Sequence, residues 1–234
     1  MLHFFKKAAK SILGISYGIF HKNIDNKGER IDIIYKNGKI DMSQFDIYQK
    51  SHYYRYLFAK EFIDNSLICG DFACGTGYGS VMIAEKAKKV IGVDISSLVI
   101  KAIKKRYKSI KNVEFIEGNL LRMSDKCRYD VITSFETVEH FEEVDIPVFF
   151  DLCYQALKSG GKIIFSTPYQ QEKSEIAINL GFHLTFDIDE KKIQSWMNSS
   201  GFRIDFYKYQ NYQTHKMESE LKEKDFIICV AYKK

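Results

Sequence analysis

The segment that most constrains the fold is an apparent strand that breaks into a glycine-rich turn. The apolar residues 67–69 lead into Asp-Phe-Ala-Cys-Gly-Thr-Gly-Tyr-Gly at positions 71–79. Gly75 and Gly77 allow positive φ angles and a close approach of ligand to backbone, and a helix over residues 80–88 would direct its free N–H groups at that ligand. The GxGxG spacing differs from the GxGxxG of dinucleotide-binding domains, so a diphosphate is not the first choice of ligand. The pattern predicts a nucleoside-cofactor loop, with a plain structural turn as the alternative.

Two further strands follow the turn. Residues 89–94 predict a β-branched strand that ends in Asp94, about 20 residues beyond the turn, where a carboxylate can accept hydrogen bonds from ribose hydroxyls. Asp94 can also serve as the N-cap of a helix over residues 96–107. A third strand, residues 113–119, ends at polar groups that suit an adenine edge. Strands that alternate with helices predict an α/β fold with a ligand crevice at the carboxyl ends of the strands.

These residues make the chain resemble the class I S-adenosylmethionine-dependent methyltransferases, over roughly residues 67–202. Asp71 and the glycines resemble the family's first motif, and Asp94 its ribose-binding acid. Residues 118–120 resemble the adenine-side motif, which often has Asp where this chain has Asn119, and residues 157–168 resemble the turn into strand five. The resemblance implies a Rossmann-like, doubly wound sheet of seven strands, mostly parallel with an antiparallel last strand, and S-adenosyl-L-methionine as cofactor. The cofactor-binding residues that it implies are Asp71, Ala73, Gly75, Gly77, Tyr78, Asp94, Ile95, Asn119, Leu120 and Phe135.

An aromatic helix is predicted over residues 44–59, before the glycine-rich turn. In related methyltransferases a preceding helix often closes over the methionine end of the cofactor, and Arg55 would be a partner for its carboxylate. Tyr48 and His52 are further candidates on this helix. The alternative is an aromatic stripe that only packs on the sheet.

The composition fits one hydrophobic core. The chain has 234 residues, 45% of them apolar, and only two prolines, which favours a methyltransferase domain at residues 61–234 preceded by a helical extension at 1–60. Five cysteines without CxxC spacing predict a reduced, cytoplasmic protein. Cys74, in the glycine-rich turn, lacks a basic neighbour in the sequence, so we do not expect it to be a nucleophile.

The amino-terminal segment is basic and then apolar. It lacks a small-residue cleavage site and is too short and broken to span a bilayer, so we expect a helix that packs on the domain, with peripheral membrane contact as the alternative. The net charge is +5, and residues 1–50 hold nine Lys or Arg against five Asp or Glu. A solvated basic face or a phosphate-bearing substrate would explain this excess, and no stretch indicates binding of long nucleic acid.

The acceptor side centres on the segment that follows the predicted strand at residues 129–135. If a helical turn begins there, Glu136, Glu139 and His140 lie at i, i+3 and i+4 and share one face. Two carboxylates and an imidazole suit Mg²⁺ or Mn²⁺. In the alternative without metal, the acids order the loop and His140 is a general base or a hydrogen-bonding core residue.

The ExxEH pattern also resembles the metal-binding segment of ubiquinone-pathway O-methyltransferases and of small-RNA 3′-terminal 2′-O-methyltransferases. In the latter a further His after strand five completes the site, which makes His183 the fourth ligand here. The implied catalytic residues are His140, Glu136 and His183, and the implied metal ligands are Glu136, Glu139, His140 and His183.

The segment 169–186 carries the side chains expected to meet the acceptor, namely Tyr169, Gln170, Gln171, Glu172, Asn179 and His183. Beyond it we predict a helix over 189–199, strands over 203–209 and 226–232, and a polar loop over 211–224. We expect O-methylation of a small polyhydroxylated acceptor, namely a sugar, a nucleotide-linked sugar or a surface-glycan precursor for a capsule, because the chain resembles methyltransferases of bacterial glycan assembly. RNA 2′-O-methylation, quinone O-methylation and a non-catalytic cofactor-binding module are the alternatives. The sequence leaves the oligomeric state open.

Overall fold

An eight-stranded sheet is the framework of the computed structural model, which describes residues 30–33, 35–36, 39–40, 42–175 and 183–234. The strands in chain order are β1 (Tyr35–Lys36), β2 (Lys39–Ile40), β3 (Ile68–Phe72), β4 (Lys89–Asp94), β5 (Val113–Glu117), β6 (Tyr129–Phe135), β7 (Leu157–Pro168), β8 (Phe202–Gln210), β9 (Met217–Glu218) and β10 (Phe226–Lys233). The α-helices are α1 (Ile47–Ala59), α2 (Tyr78–Ala84), α3 (Ser97–Arg106), α4 (Ile146–Ala156) and α5 (Glu190–Ser199). The short strands β1 and β2 pair with each other outside the large sheet.

The large sheet has the order β5-β4-β3-β6-β7-β10-β8-β9. Strands β3 to β7 run parallel, and β10 is antiparallel to both of its neighbours, β7 and β8. The strand order reverses between β3 and β6, which is where an open α/β sheet forms its ligand crevice. The predicted mostly parallel sheet with an antiparallel last strand is confirmed. The eighth strand, β9, lies inside the predicted polar loop over residues 211–224 and extends the sheet because it pairs with the end of β8.

The two faces of the sheet carry separate hydrophobic clusters. Along β10, Cys229 and its alternate neighbours belong to the cluster that packs with α4 and α5, whereas Ile228 and Val230 belong to the cluster that packs with α1 and α2. This assignment follows from the period of two along a strand. The result is a helix–sheet–helix arrangement with the carboxyl ends of the parallel strands at one edge.

The element bounds show where local sequence decides the structure. Strand β4 confirms the prediction for residues 89–94. Helix α2 ends at Ala84, short of the predicted residue 88, and the Asn112 side chain donates to the carbonyl oxygens of Ala84 and Ala87 at its end. Helix α3 is capped by Ser96, whose hydroxyl accepts from the backbone N–H of Val99. The alternative in which Asp94 is this N-cap is therefore wrong.

Helix α1 confirms the aromatic helix before the turn. It begins with a capping box in which the Asp46 side chain accepts from the backbone N–H of Gln49, and the Gln49 side chain accepts from that of Asp46. Its packing on α2 requires Gly79, because a Cβ at this position would overlap the ring of Tyr56. We conclude that Gly79 serves the packing of α1 rather than a ligand.

The chain divides into two compact units, Met1–Arg30 and Ile31–Lys234, and every element named above belongs to the second. The helix expected within the first twenty residues lies outside the described residues, and so do Asn179 and the residues immediately before His183. The predicted domain boundary at residue 60 stays a prediction. None of the helices in the described ranges combines the length and apolar composition needed to cross a membrane.

Candidate active site

The glycine-rich turn joins β3 to α2 through left-handed backbone. Ala73, Gly75 and Gly77 have φ angles of 58°, 52° and 77°. A Cβ at Gly77 would lie 2.9 Å from the ring of Phe115, whereas a Cβ at Gly75 would meet nothing within 4 Å. Gly77 is therefore required by packing and backbone conformation, while the side of the turn at Gly75 opens to a ligand.

Asp71 lies behind this turn, with its carboxylate fully buried. One oxygen accepts hydrogen bonds from Tyr56 Oη at 3.0 Å and Thr133 Oγ1 at 2.9 Å, and the other accepts from Ser80 Oγ at 2.6 Å. Burial raises the pKa of Asp71 to about 6, against the opposing effect of the three hydroxyl donors. Three protein hydroxyls therefore hold the Asp71 carboxylate in place, and a direct contact of Asp71 with the cofactor stays a prediction.

Asp94 at the end of β4 ties two strand ends together. Its Oδ2 accepts from the backbone N–H of Gly75 at 3.0 Å, and its Oδ1 accepts from that of Ser96 at 2.9 Å. The carboxylate is nearly buried, at 5% exposure. Each carboxylate oxygen can accept more than one hydrogen bond, so this geometry suits ribose hydroxyls beside the open face of the turn.

The predicted adenine side lies at the ends of β4 and β5. Ile95, which directly follows β4, is 66% exposed, and Leu98, in the first turn of α3, is 51% exposed. Asn119 is exposed, and its Oδ1 accepts from the backbone N–H of Leu121 at 2.9 Å. The side-chain NH₂ of Asn119 is then the group for a base edge, with exposed apolar surface available for the flat face of the base. Leu120, expected at this site, has a buried side chain.

Two aromatic residues expected at the cofactor belong to the hydrophobic core. Tyr78 and Phe135 are buried, and their rings meet the ring of Tyr56 edge-on, with centroids 5.4 and 4.8 Å away. Both side chains therefore pack on Tyr56, and a contact of either residue with the cofactor stays a prediction. Tyr56 was missed from the sequence, since only the fold brings it against Asp71.

Arg55 on α1 is completely buried where α1 meets β8 and β10. Its Nε donates to Gln210 Oε1 at 2.9 Å, and its guanidinium carbon lies 3.8 Å from the centroid of the Phe226 ring. One terminal nitrogen lies 3.2 Å from Glu136 Oε1. Among the described residues, neither terminal nitrogen makes a well-aligned hydrogen bond, and Nη2 has no ion-pair partner either. Buried donors of this kind are costly unless a ligand satisfies them, and a carboxylate matches the fork of a guanidinium.

The other two candidates on α1 lie near Arg55. Burial and the charge of Arg55 lower the pKa of His52 well below its usual value, so this imidazole is neutral at pH 7. The ring of Tyr48 meets the ring of Tyr212 edge-on at 5.1 Å. A direct cofactor contact for Tyr48 or His52 stays a prediction.

The acceptor side contains a cluster of possible metal ligands. One ligand atom from each of Glu139, His140 and His183 lies within 4.8 Å of the other two, and the histidine rings are 5.1 Å apart. Glu139 is 1% exposed, and its Oε2 accepts from Thr167 Oγ1 at 3.0 Å. The backbone N–H groups of Leu184 and Thr185 donate to the carbonyl oxygen of Glu139, which brings His183 to this place.

Glu136 does not join this cluster. It has a left-handed φ of 52°, and the turn that follows, Val138–His140, is a 3₁₀ turn. The expected shared helical face is therefore wrong, because the chain bends at Glu136 before the turn begins. Its carboxylate instead accepts from Ser166 Oγ at 2.7 Å and pairs with Arg55. We correct Glu136 from a metal ligand to a partner of the buried arginine.

The polar residues after β7 face different partners. Tyr169 donates to Glu190 at 3.0 Å, so its hydroxyl is directed at α5. The Gln171 Oε1 lies 2.6 Å from Nδ1 of His183, which places Gln171 beside the cluster. Cys74 is buried in the turn, and burial raises its pKa well above the usual value, in keeping with the expectation that it is no nucleophile. The described chain contains no disulfide, as all five cysteines are free.

Comparisons with known proteins find sequence and fold similarity to methyltransferases. Residues 70–161 match a family model described as a methyltransferase domain. A probable S-adenosylmethionine-dependent methyltransferase of Mycolicibacterium smegmatis is 29% identical over 136 residues, covering 56% of this chain and 50% of that protein. A ubiquinone biosynthesis O-methyltransferase of Idiomarina loihiensis is 33% identical over 107 residues, covering 44% of this chain and 43% of that protein. The chain thus spans about half the length of these relatives.

Solved structures share the fold. The N-methyltransferase NodS from Bradyrhizobium japonicum WM9, in complex with S-adenosyl-L-homocysteine, has a TM-score of 0.63 at 13% identity, covering 82% of this chain and 90% of that chain. A putative S-adenosylmethionine-dependent methyltransferase from Listeria monocytogenes has a TM-score of 0.61 at 18% identity. The match covers 78% of this chain and 99% of that chain. The fold is that of the S-adenosylmethionine-dependent methyltransferases. Residues 70–161 are therefore similar in sequence to a methyltransferase domain, and the relatives named above are S-adenosylmethionine-dependent or ubiquinone-pathway methyltransferases.

Proposed function

We propose that this protein transfers the methyl group of S-adenosylmethionine to a hydroxyl oxygen of a small acceptor, with a divalent cation at the acceptor side. The observation that carries the proposal is the convergence of Glu139, His140 and His183 at the carboxyl edge of the sheet. One carboxylate and two imidazoles fit Mn²⁺ better than Mg²⁺, because Mg²⁺ prefers oxygen ligands throughout.

The residues around the turn fit the cofactor. Gly75 leaves room for it and Asp94 offers acceptors for ribose hydroxyls, while Asn119 offers a donor for adenine. Arg55 offers the methionine carboxylate its buried Nη2, the terminal nitrogen that is not paired with Glu136. This carboxylate would complete the hydrogen bonding of a group that is otherwise costly to bury.

The chemistry requires positioning and activation of the nucleophile. S-adenosylmethionine supplies a methyl group that is already activated on sulfur, so the protein aligns the acceptor oxygen with the S–CH₃ bond and excludes water. A cation bound at the cluster supplies Lewis acidity that lowers the pKa of a coordinated hydroxyl. Without a cation, a ring nitrogen of His140 accepts the hydroxyl proton, because imidazole titrates near neutrality.

The proposed acceptor is a sugar, a nucleotide-linked sugar or a glycan precursor, all of which carry adjacent hydroxyl oxygens that can chelate one cation. Gln171 and Glu172 supply polar surface after β7, in keeping with such an acceptor. A quinol is the second candidate, favoured by relatives named ubiquinone biosynthesis O-methyltransferases. An RNA terminus is a third candidate, which the modest charge of +5 does not favour.

The test is a transfer assay with methyl-labelled S-adenosylmethionine. Nucleotide sugars, quinols and short RNAs are offered separately, before and after treatment with chelator and after addition of Mn²⁺ or Mg²⁺. Label on a sugar that disappears with chelator and returns with Mn²⁺ supports the whole proposal. Transfer of label that resists the chelator would contradict the role of the cation and leave His140 as the base. Label found only on a quinol or on RNA would contradict the sugar acceptor.

Variants separate an enzyme from a cofactor-binding module. His140→Ala should abolish transfer and leave cofactor affinity unchanged. Glu142→Gln is the matched control, because Glu142 is exposed and lies two residues beyond His140. Cofactor binding by the wild type without transfer to any acceptor would support the binding module.

A further inference from the structure

The imidazole of His183 is held in one orientation by a side chain from a different segment. Gln171 Oε1 lies 2.6 Å from Nδ1 of His183. An amide oxygen only accepts hydrogen bonds, so in this orientation of the Gln171 amide the proton of the contact lies on Nδ1. A neutral imidazole with its proton on Nδ1 has its lone pair on Nε2, which is the form that a metal ligand needs.

The backbone on both sides of this hydrogen bond is fixed. The N–H of Asp187 donates to the carbonyl oxygen of Gln171 at 3.0 Å, so the loop after β7 is pinned to the segment that follows His183. The residues next to His183 are anchored as well, because Leu184 and Thr185 donate their N–H groups to the Glu139 carbonyl at 2.8 and 3.1 Å. The Gln171 side chain is thus presented to His183 from a backbone position that the Asp187 hydrogen bond anchors.

Glu139, the carboxylate of the cluster, is also oriented by a hydrogen bond from a side chain of a different segment. Thr167 is completely buried on β7, and its hydroxyl donates to Glu139 Oε2 at 3.0 Å. Partners of this kind orient metal ligands, and their loss typically weakens metal binding.

We propose that Gln171 is a positioning residue that keeps the proton of His183 on Nδ1 and presents Nε2 to a divalent cation. This inference rests on the proposed metal-assisted function. Gln171 itself need not touch the cation, the cofactor or the acceptor. Its effect reaches the site through the tautomer and ring orientation of His183.

Metal titration tests the inference. Mn²⁺ affinity is measured by calorimetry, and the Co²⁺ absorption spectrum reports the geometry of the metal ligands. Both measurements are made on the wild type, Gln171→Leu, Gln171→Glu and His183→Ala. We expect Gln171→Leu to weaken Mn²⁺ binding about 10- to 100-fold and to alter the Co²⁺ spectrum. Gln171→Glu keeps an acceptor for Nδ1–H and should restore the affinity. S-adenosylmethionine affinity, measured in parallel, should be unchanged and so reports a folded protein.

The matched control is Gln155→Leu, the same substitution at an exposed position of α4. Wild-type Mn²⁺ affinity in Gln171→Leu, combined with its loss in His183→Ala, would overturn the positioning role and leave the metal site standing. A wild type that binds no divalent cation would overturn the metal-assisted function and this inference together.

A second measurement needs no metal. The ¹⁵N chemical shifts of the His183 ring distinguish the two neutral tautomers in the metal-free protein. We expect the Nδ1–H form in the wild type and a mixture in Gln171→Leu. The Nε2–H form in the wild type would overturn the inference.

Discussion

The turn at the proposed cofactor side is held by contacts between segments close in sequence, whereas the cluster at the proposed acceptor side is assembled from segments far apart in sequence. On the cofactor side, the turn around Gly75 and Gly77 is joined to β4 through Asp94, only 19 residues from Gly75. On the acceptor side, Glu139 and His183 are brought together by carbonyl contacts across a gap of more than forty residues. We therefore expect substitutions on the two sides to separate cofactor binding from catalysis.

The largest expected effect is on the acceptor side. Glu139→Gln should lower kcat/KM about 10³-fold, because the buried carboxylate serves both the cluster and nucleophile activation. Cofactor affinity, measured by calorimetry, should stay at the wild-type value. Parallel loss of cofactor binding would show that the two sides are one unit. Glu142→Gln is the control, because it removes a nearby carboxylate that lies outside the cluster.

Arg55 lies between the two sides, so its removal should affect both protein stability and cofactor binding. Arg55→Ala leaves the Glu136 carboxylate without its buried partner and should cost about 4 kcal/mol of unfolding free energy, with a loss of cofactor affinity. Denaturant unfolding and calorimetry measure the two effects. Lys89→Ala is the comparison, since the side chains of Lys89 and its partner Glu114 are 45% and 46% exposed and their pair should contribute less than about 1 kcal/mol. Equal losses in the two variants would contradict the buried role of Arg55.

Asp71 predicts a pH dependence of stability on the cofactor side. Its pKa is about 6 in the folded protein and 3.8 in an ordinary exposed site, so the folded state binds this proton more tightly. The resulting stabilisation is present below about pH 4 and lost as the pH rises through 6, up to about 3 kcal/mol in all. Asp71→Asn does not titrate, so the difference in unfolding free energy between wild type and variant should change over this range. A constant difference would show that the pKa of Asp71 is not raised.

The smallest effects separate the two glycines of the turn. Gly77→Ala should cost about 2 kcal/mol of stability, because it adds left-handed strain and a contact with Phe115. Gly75→Ala should cost about 1 kcal/mol, from strain alone. Its added methyl group enters the open side, so cofactor affinity should fall more than stability. Thermal unfolding with and without S-adenosylmethionine compares the two, and a similar ligand-induced shift in both variants would remove Gly75 from the cofactor site.

Much of the fold was predictable because its signals are local. The β-branched run of β4 ends in a carboxylate, the capping box of α1 lies within four residues, and the glycines mark the turn that needs left-handed backbone. Short pairing segments such as β9 were missed, since two residues carry no periodicity.

The side chains of the site were less predictable where their partners are far away in sequence. Asp71 meets Thr133 across 62 residues, and Arg55 meets Gln210 across 155 residues. The bend at Glu136 is also not evident in the ExxEH pattern, which equally allows a regular helical turn. In each case the burial of a charged group selected its partner, and burial is a property of the packed structure.

The sequence by itself determined the order of strands and helices and the ligand-facing turn, because backbone conformation and hydrophobic periodicity depend on neighbouring residues. It also placed Glu139, His140 and His183 among the candidates. Only the tertiary structure decided that Glu136 pairs with Arg55 and that Gln171 holds His183. These choices depend on which polar groups are excluded from water together, since a buried donor or charge must find its partner within the fold.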